Sequence, residues 1–246
     1  MLGSFNLVDT IPASLLVPGN SSKNQSSDNI GELLVRLPYR TAKLAARICI
    51  PILCHSNISK EVDPLPNGSV IVVANHLSNY DMPVLMICVP RRIAFMGGEE
   101  LFNNRLGHIY RLIGGFPVRR RGIDREAFHK AKRVLEEEWA LGIFPEGVKS
   151  PSAQLLPACK GMILLALTND AYILPVGISG TEKVRKRLTG WSLLFRRPTV
   201  SIKVGEPFKL PMVEGKPTRE QMASLTDLVM MRVAELLPED YRGVYG

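Results

Sequence analysis

The hydrophobic pattern of the chain changes period several times, and each change predicts an element. Residues 70–73 (Val, Ile, Val, Val) are an unbroken β-branched run, the signature of a strand buried on both faces. The run breaks abruptly into the polar stretch from Asn75 to Tyr80, and a helix is expected to begin at Asp81 and continue through Pro83 to Cys88. Further strands are expected over 92–96 and, after Gly114 and Gly115, up to Val118, with a short helix around 99–106 between them. Asp124 is placed to cap a helix whose Ala127, Phe128, Ala131, Val134 and Leu135 recur at helical spacing, with Gly142 as its C-terminal stop. Residues 141–144 read as a strand running into Pro145, Glu146 and Gly147. A helix over 160–168, strands over 172–178 and 199–204, and a terminal helix over 218–237, buried through Met222, Leu225, Val229, Val233 and Leu236, complete the pattern. Strands alternating with helices predict an α/β domain with a mainly parallel sheet flanked by helices.

The N-terminal region departs from this alternation. Residues 19–29 are too polar to order themselves by burial, so 1–29 is expected to be a flexible segment. From residue 30 to 58 an amphipathic helical segment is expected, either one helix or two broken near Pro38. There Arg36, Arg40, Lys43 and Arg47 form a basic stripe beside Leu33, Leu37, Leu44 and Ile48. Two readings fit: a helix lying in a membrane interface with its cations on anionic headgroups, or a helix packed on the domain with a solvated basic edge. Residues 59–246 form the remaining domain.

Composition narrows the partners. With 246 residues and 46% hydrophobic content the chain is large enough to bury a full core. Lys and Arg number 31 against 23 Asp and Glu, a net charge of +8, which favours phosphorylated substrates, acidic lipid surfaces or nucleic acid without choosing among them. Cys49, Cys54, Cys88 and Cys159 show neither paired metal-binding spacing nor a disulfide framework. The first 18 residues have no basic n-region, and Asp9, Pro12 and Pro18 interrupt the apolar stretch, which argues against a secretory signal and for the cytosolic side. No apolar run reaches the roughly 20 residues of a membrane-spanning helix, so any membrane contact is expected to be peripheral.

The candidate chemistry sits in the turn after the first strand. His76 and Asp81 are five residues apart, an offset that a regular helix does not bring together but a strand-to-helix turn does. Asp81 would then hold one ring nitrogen and leave the other free to act as a general base. A base with an unperturbed pKa near 6.5 takes a proton from an alcohol at neutral pH, an effect worth roughly 100- to 10,000-fold. The same residues also fit a structural histidine and an Asp81 that caps the helix.

Asn75-His76-Leu77-Ser78-Asn79-Tyr80-Asp81 resembles the N-H-x-x-x-x-D signature of the glycerolipid acyltransferases related to 1-acylglycerol-3-phosphate acyltransferase, and Phe144-Pro145-Glu146-Gly147 matches that family's F-P-E-G signature. Between them, Gly115-Phe116-Pro117-Val118-Arg119-Arg120 resembles the family's apolar segment ending in arginine, and Leu174-Pro175-Val176-Gly177-Ile178 lies where its last proline-containing strand is found. The resemblance implies transfer of an acyl group from acyl-CoA or acyl carrier protein to a hydroxyl of a glycerol phosphate lipid, with His76 as base and Asp81 as its orienter. It implies phosphate binding by Arg120 with help from Arg119 or Arg121, an acceptor pocket at Glu146 and Gly147, and no bound cofactor or metal. Two departures bear on the acceptor. Val148, Lys149 and Ser150 stand where the family commonly has T-R-S, removing a hydroxyl and leaving at Lys149 a less fork-like anion contact, and Gly98 stands where a lysine is common.

Between 181 and 197, Lys183, Arg185, Lys186, Arg187, Arg196 and Arg197 surround Trp191, Leu193, Leu194 and Phe195 against a single acid, Glu182. That composition suits a loop at a membrane interface and, electrostatically, nucleic acid. The expected protein is a peripheral acyltransferase on the cytoplasmic face of a membrane, with anionic lipids as partners, lysophosphatidic acid as acceptor and no nucleic acid. The alternatives are the same chemistry on glycerol 3-phosphate, another lysolipid or a glycolipid, or a non-enzymatic basic protein binding membranes or nucleic acid.

Overall fold

The computed structural model describes residues 25–60, 65–103, 107–119, 124–188 and 197–246, with the backbone alone at 25–36 and 185–188. In chain order the elements are α1 (Gln25–Leu53), β1 (His55–Lys60), β2 (Val70–Ala74), α2 (Asp81–Cys88), β3 (Ile93–Gly98), α3 (Glu99–Phe102), α4 (Gly107–Leu112), β4 (Phe116–Val118), α5 (Arg125–Glu136), β5 (Ala140–Ile143), α6 (Gly161–Thr168), β6 (Tyr172–Ser179), α7 (Thr181–Leu188), β7 (Thr199–Val204), β8 (Phe208–Lys209) and α8 (Arg219–Glu235), ending in two 3₁₀ turns.

The strands form one eight-stranded sheet in the order β1-β7-β6-β2-β5-β3-β4, with β8 pairing separately to β6. The pairs β1–β7, β6–β2, β2–β5, β5–β3 and β3–β4 are parallel, while β7 and β8 run antiparallel to β6. The sheet is thus mainly parallel and helix-flanked, as the alternation of the sequence demands.

Strand β2 explains why its sequence lacks polar alternation. All five of its residues are buried. Val70, Val72 and Ala74 enter one core with α1 and α2, whereas Ile71 and Val73 enter a second core with α5, α6 and α8. A strand covered on both faces must be apolar at every position.

Several boundaries differ from the sequence reading. The α5 helix ends at Glu136, and the chain reverses at Glu138, whose φ is 59°. Gly142 lies inside β5 rather than at a helix end, because a Cβ there would come within 2.5 Å of the Phe95 ring. The stretch 181–197 begins as the helix α7 rather than a loop, while its Trp191, Leu193, Leu194, Phe195 and Arg196 lie outside the described residues. The expected boundary at residues 58 and 59 falls within β1, which the sequence did not reveal and which joins the sheet edge.

The α1 helix begins at Gln25, inside the stretch read as a linker, and runs through Pro38 and Pro51 without a break. The Thr41 hydroxyl donates to the carbonyl of Pro38 within it. Its buried side carries Tyr39, Ala46 and Ile50, and the Tyr39 hydroxyl accepts from the Ile93 amide at 3.1 Å. The Arg92 guanidinium lies 3.7 Å over the Trp139 ring and 5.5 Å from Tyr39, tying α1 to the start of β3 and the approach to β5. The apolar residues Leu37, Leu44 and Ile48 are on the other side, each more than half exposed together with Ile52. One described face of α1 is therefore core and the opposite one is apolar and open.

Substituting Gly142→Ala tests the closeness of β5 to Phe95. We expect a destabilisation of about 1–3 kcal/mol in urea unfolding, and an unchanged unfolding midpoint would show that the Phe95 ring yields freely.

Candidate active site

Three central parallel strands end on one edge of the sheet, and their C-terminal loops build the site, the usual crevice of open α/β sheets. The loop after β2 carries His76, the loop after β5 carries Glu146, and Thr181 follows β6. Side-chain clamps fix the backbones of these loops to one another. Asn75 bonds both ways to Ile178 of β6: its Nδ2 donates to the carbonyl and its Oδ1 accepts from the amide, each at 2.8 Å.

His76 Nδ1 lies 2.8 Å from Asp81 Oδ2. The same oxygen accepts the amides of Leu77 at 2.7 Å and Ser78 at 2.8 Å, and Oδ1 accepts the hydroxyls of Thr181 at 2.6 Å and Ser78 at 3.4 Å. Asp81 is fully buried, whereas the His76 side chain is 13% exposed. A carboxylate so surrounded by donors acts as an acceptor, so Nδ1 carries the hydrogen and Nε2 presents its lone pair. Among the described residues no hydrogen bond reaches Nε2.

Asp81 is the first residue of α2, but it does not cap that helix. The N-cap position is Tyr80, without a side-chain cap, and the Asp81 carboxylate turns back to the amides of the preceding turn. The expectation of a helix cap is corrected on this point: Asp81 braces the loop that carries the histidine.

The F-P-E-G turn supplies the rest of the frame. The Phe144 ring stacks on His76 with centroids 4.1 Å apart and an interplanar angle of 17°, and Phe95 stacks behind it at 6.2 Å. Glu146 Oε1 accepts the His76 amide at 2.9 Å and Oε2 accepts the Leu156 amide at 3.0 Å. The His76 carbonyl in turn accepts the Ser150 amide at 2.8 Å. The backbone of the histidine is thus held on both sides by one loop. Burial, reinforced by the nearby negative charge of Asp81, pushes the Glu146 carboxyl up to about 7 against the pull of its two amide donors. Gly147 makes the turn at φ 69°. Val148 and Lys149 are exposed beyond it, so those two departures from the family pattern lie at the rim.

Arg119 follows β4, three strands from β2 and so about 14 Å across the sheet. It is exposed, with its amide donating to Asp124 at 2.9 Å and its Nε 3.5 Å from the same carboxylate oxygen. Arg120 and Arg121 lie outside the described residues. The four cysteines are unpaired, and burial pushes the Cys88 thiol up to about 11, away from any thiolate role. No cluster of His, Cys, Asp and Glu suited to a metal occurs among the described residues.

Sequence reasoning placed His76 and Asp81 together but gave no role to Asn75, Phe144, Ser150 or Thr181. Asn75, Phe144 and Ser150 lie within or beside the quoted motifs, and that position was their only signal. Thr181 had none, because its partner is 100 residues away.

A half-buried imidazole oriented by a buried carboxylate at the C-terminal edge of a mainly parallel sheet marks this edge of the α/β fold as the candidate active site. Comparison with known proteins makes the class specific. The Acyltransferase family profile matches residues 56–179, about half of the chain and all of the frame just described except Thr181, and the chain belongs to that family. It is an enzyme of the acyltransferase class, and the non-enzymatic alternative is set aside. It is 26% identical over 180 residues to the 1-acyl-sn-glycerol-3-phosphate acyltransferase of Bacillus subtilis, covering 72% of this chain and 85% of that protein. The enzyme of the same description from Salmonella typhimurium is 27% identical over 244 residues, 96% of this chain and 95% of that one. In three dimensions the chain is similar to the 1-acyl-sn-glycerophosphate acyltransferase of Thermotoga maritima, with a TM-score of 0.59 and 23% identity over 87% of this chain and 83% of that one, a likeness of fold.

The carboxyl of Glu146 has an ordinary value of 4.5 and a folded value of about 7, so the folded state binds the extra proton between them and loses stability as pH rises through that window. Relative to Glu146→Gln, which does not titrate, the unfolding free energy of the native protein should fall by on the order of 3 kcal/mol across it. Urea unfolding at a series of pH values measures this, and a difference that stays flat refutes it.

Proposed function

We propose that this enzyme moves a fatty acyl group from a thioester, acyl-CoA or acyl carrier protein, to the free hydroxyl of lysophosphatidic acid, forming phosphatidic acid. The observation that carries the reading is the contact between His76 Nδ1 and Asp81, which leaves Nε2 as a base inside the segment that matches the Acyltransferase family. The names of the relatives from Bacillus subtilis and Salmonella typhimurium support the choice of acceptor.

In the reaction, Nε2 takes the hydroxyl proton while the oxygen attacks the thioester carbonyl. The C–S bond then breaks, and the imidazolium returns its proton to the departing thiolate, so that an ester and a free thiol result. Asp81 stabilises the imidazolium as it forms. No serine or cysteine nucleophile takes part, and no cofactor is needed beyond the donor itself. Arg120, helped by Arg119 or Arg121, holds the acceptor's phosphate through guanidinium forks, and Lys149, exposed just past Gly147, offers a further cation to it. Gly147 shapes the acceptor pocket, and Glu146 serves it through the backbones of His76 and Leu156.

We place the enzyme peripherally on the cytoplasmic face of an anionic membrane. Among the described residues no helix is long and apolar enough to cross a bilayer. The open face of α1, with Leu37, Leu44, Ile48 and Ile52, supports burial in the interface, with Arg40 and Arg47 exposed along its edge for acidic headgroups. Lys43 is partly buried and donates to the carbonyl of Val89, which ties that edge to the end of α2.

An acyl-transfer assay across thioester donors and lysolipid acceptors tests the chemistry. His76→Ala should lower turnover of lysophosphatidic acid by roughly 100- to 10,000-fold with the fold intact; wild-type turnover by that variant would sink the mechanism. Replacing Leu44, Ile48 and Ile52 by asparagine should release the protein from anionic vesicles in sedimentation, and undiminished binding would exclude α1 as the membrane contact.

A further inference from the structure

The orientation of Asp81 is not set by its rotamer, since the terminal torsion of an aspartate is broad and roughly two-fold. It has to be fixed by what bonds its two oxygens. Oδ2 is held by His76 Nδ1 and by the amides of Leu77 and Ser78, all from the loop that Asp81 itself braces. Those bonds make the loop self-consistent but do not tie it to the sheet. On Oδ1 the Ser78 hydroxyl stands at 3.4 Å, the limit of a hydrogen bond, while the Thr181 hydroxyl donates at 2.6 Å.

Thr181 is well suited to act as a fixed reference. It is fully buried and opens α7 directly after Gly180, whose φ is 90° and where a Cβ would come within 2.2 Å of the Thr199 carbonyl. That corner can be made only by glycine. The next residue, Glu182, accepts the Tyr241 hydroxyl at 2.8 Å, and Val184 is buried in the core. Two residues before the corner, Ile178 is clamped by Asn75. The hydroxyl is thus held by β6, β7 and the C-terminal turn at once.

We propose that Thr181 is a positioning residue of the acyl-transfer site, whose hydroxyl locks the Asp81 carboxylate against β6 so that its other oxygen stays aimed at His76. This rests on the reading of His76 as the base. Thr181 touches no reacting atom and acts through Asp81 alone.

Steady-state kinetics with lysophosphatidic acid and acyl-CoA, run beside His76→Ala, tests it. Thr181→Val, which removes the hydroxyl and keeps the shape, should lower kcat on the order of tenfold to a hundredfold, the range of a hydrogen bond to a charged group, with KM unchanged. Thr181→Ser should restore most of kcat, and Thr181→Ala replaces the valine variant if that one does not fold. The downfield proton resonance of the His76 Nδ1–H should broaden or vanish in the variant without the hydroxyl and persist in the serine one. If His76→Ala is inactive and the variant without the hydroxyl keeps kcat within about twofold of native, the role of Thr181 falls and the base stands. Equal losses in the serine and hydroxyl-free variants, or a loss confined to KM, reduce Thr181 to a structural residue and overturn the proposal. Activity retained by His76→Ala removes the base and Thr181 with it.

Discussion

A buried carboxylate that had no partners would cost several kcal/mol, and the site is the arrangement that meets this demand. Asp81 is buried at the start of α2 with no exposure, and five donors from two parts of the chain converge on it. Two are amides of the turn after β2, which therefore cannot adopt another path without stranding the charge. One is the imidazole, whose tautomer is thereby set. The one from farthest away is the hydroxyl at the β6–α7 corner. Satisfying the carboxylate and orienting the imidazole are a single act.

The F-P-E-G turn does the complementary work from the other side. Its phenylalanine gives the imidazole a flat apolar surface, and its glutamate and the serine three residues beyond the glycine hold the amide and carbonyl of His76. Glu146 sits in a place that burial makes unfavourable for charge, close to a second carboxylate. Two amide donors offset part of that. The result is a histidine whose ring, backbone amide and backbone carbonyl each have an assigned partner, leaving one nitrogen and a small exposed area open.

Helix α1 shows the same economy on the scale of an element. Its inner side is pinned by Tyr39, Ala46, Ile50 and the Arg92 sandwich, and a basic edge separates that side from an outer row of leucine and isoleucine. An element with apolar residues on opposite faces is made to lie between two apolar media. The core supplies one, and under the proposed function a lipid surface supplies the other.

Much of this was legible in the residues. The unbroken β-branched run marked β2 because a strand covered on both faces cannot alternate, and the Asp124 cap appears where a short polar side chain precedes a helical period. His76 and Asp81 were legible because they are neighbours in the chain and a strand-to-helix turn is a local structure. What periodicity could not reach was long-range. It could not tell that Leu37, Leu44 and Ile48 face outwards, since a helical stripe does not say which medium covers it. It read Gly142 as a helix stop, because the pressure of the Phe95 ring comes from a strand nearly fifty residues away. It cast Asp81 as a helix cap, because the amides it accepts lie upstream in a turn whose path the sequence does not spell out. The sequence by itself determined the mainly parallel α/β fold and the pair at the centre of the site. Only the tertiary structure decided what holds that pair in place, because Asn75 on Ile178, Glu146 on His76 and Thr181 on Asp81 are contacts between strand ends that only the folding of the sheet brings together.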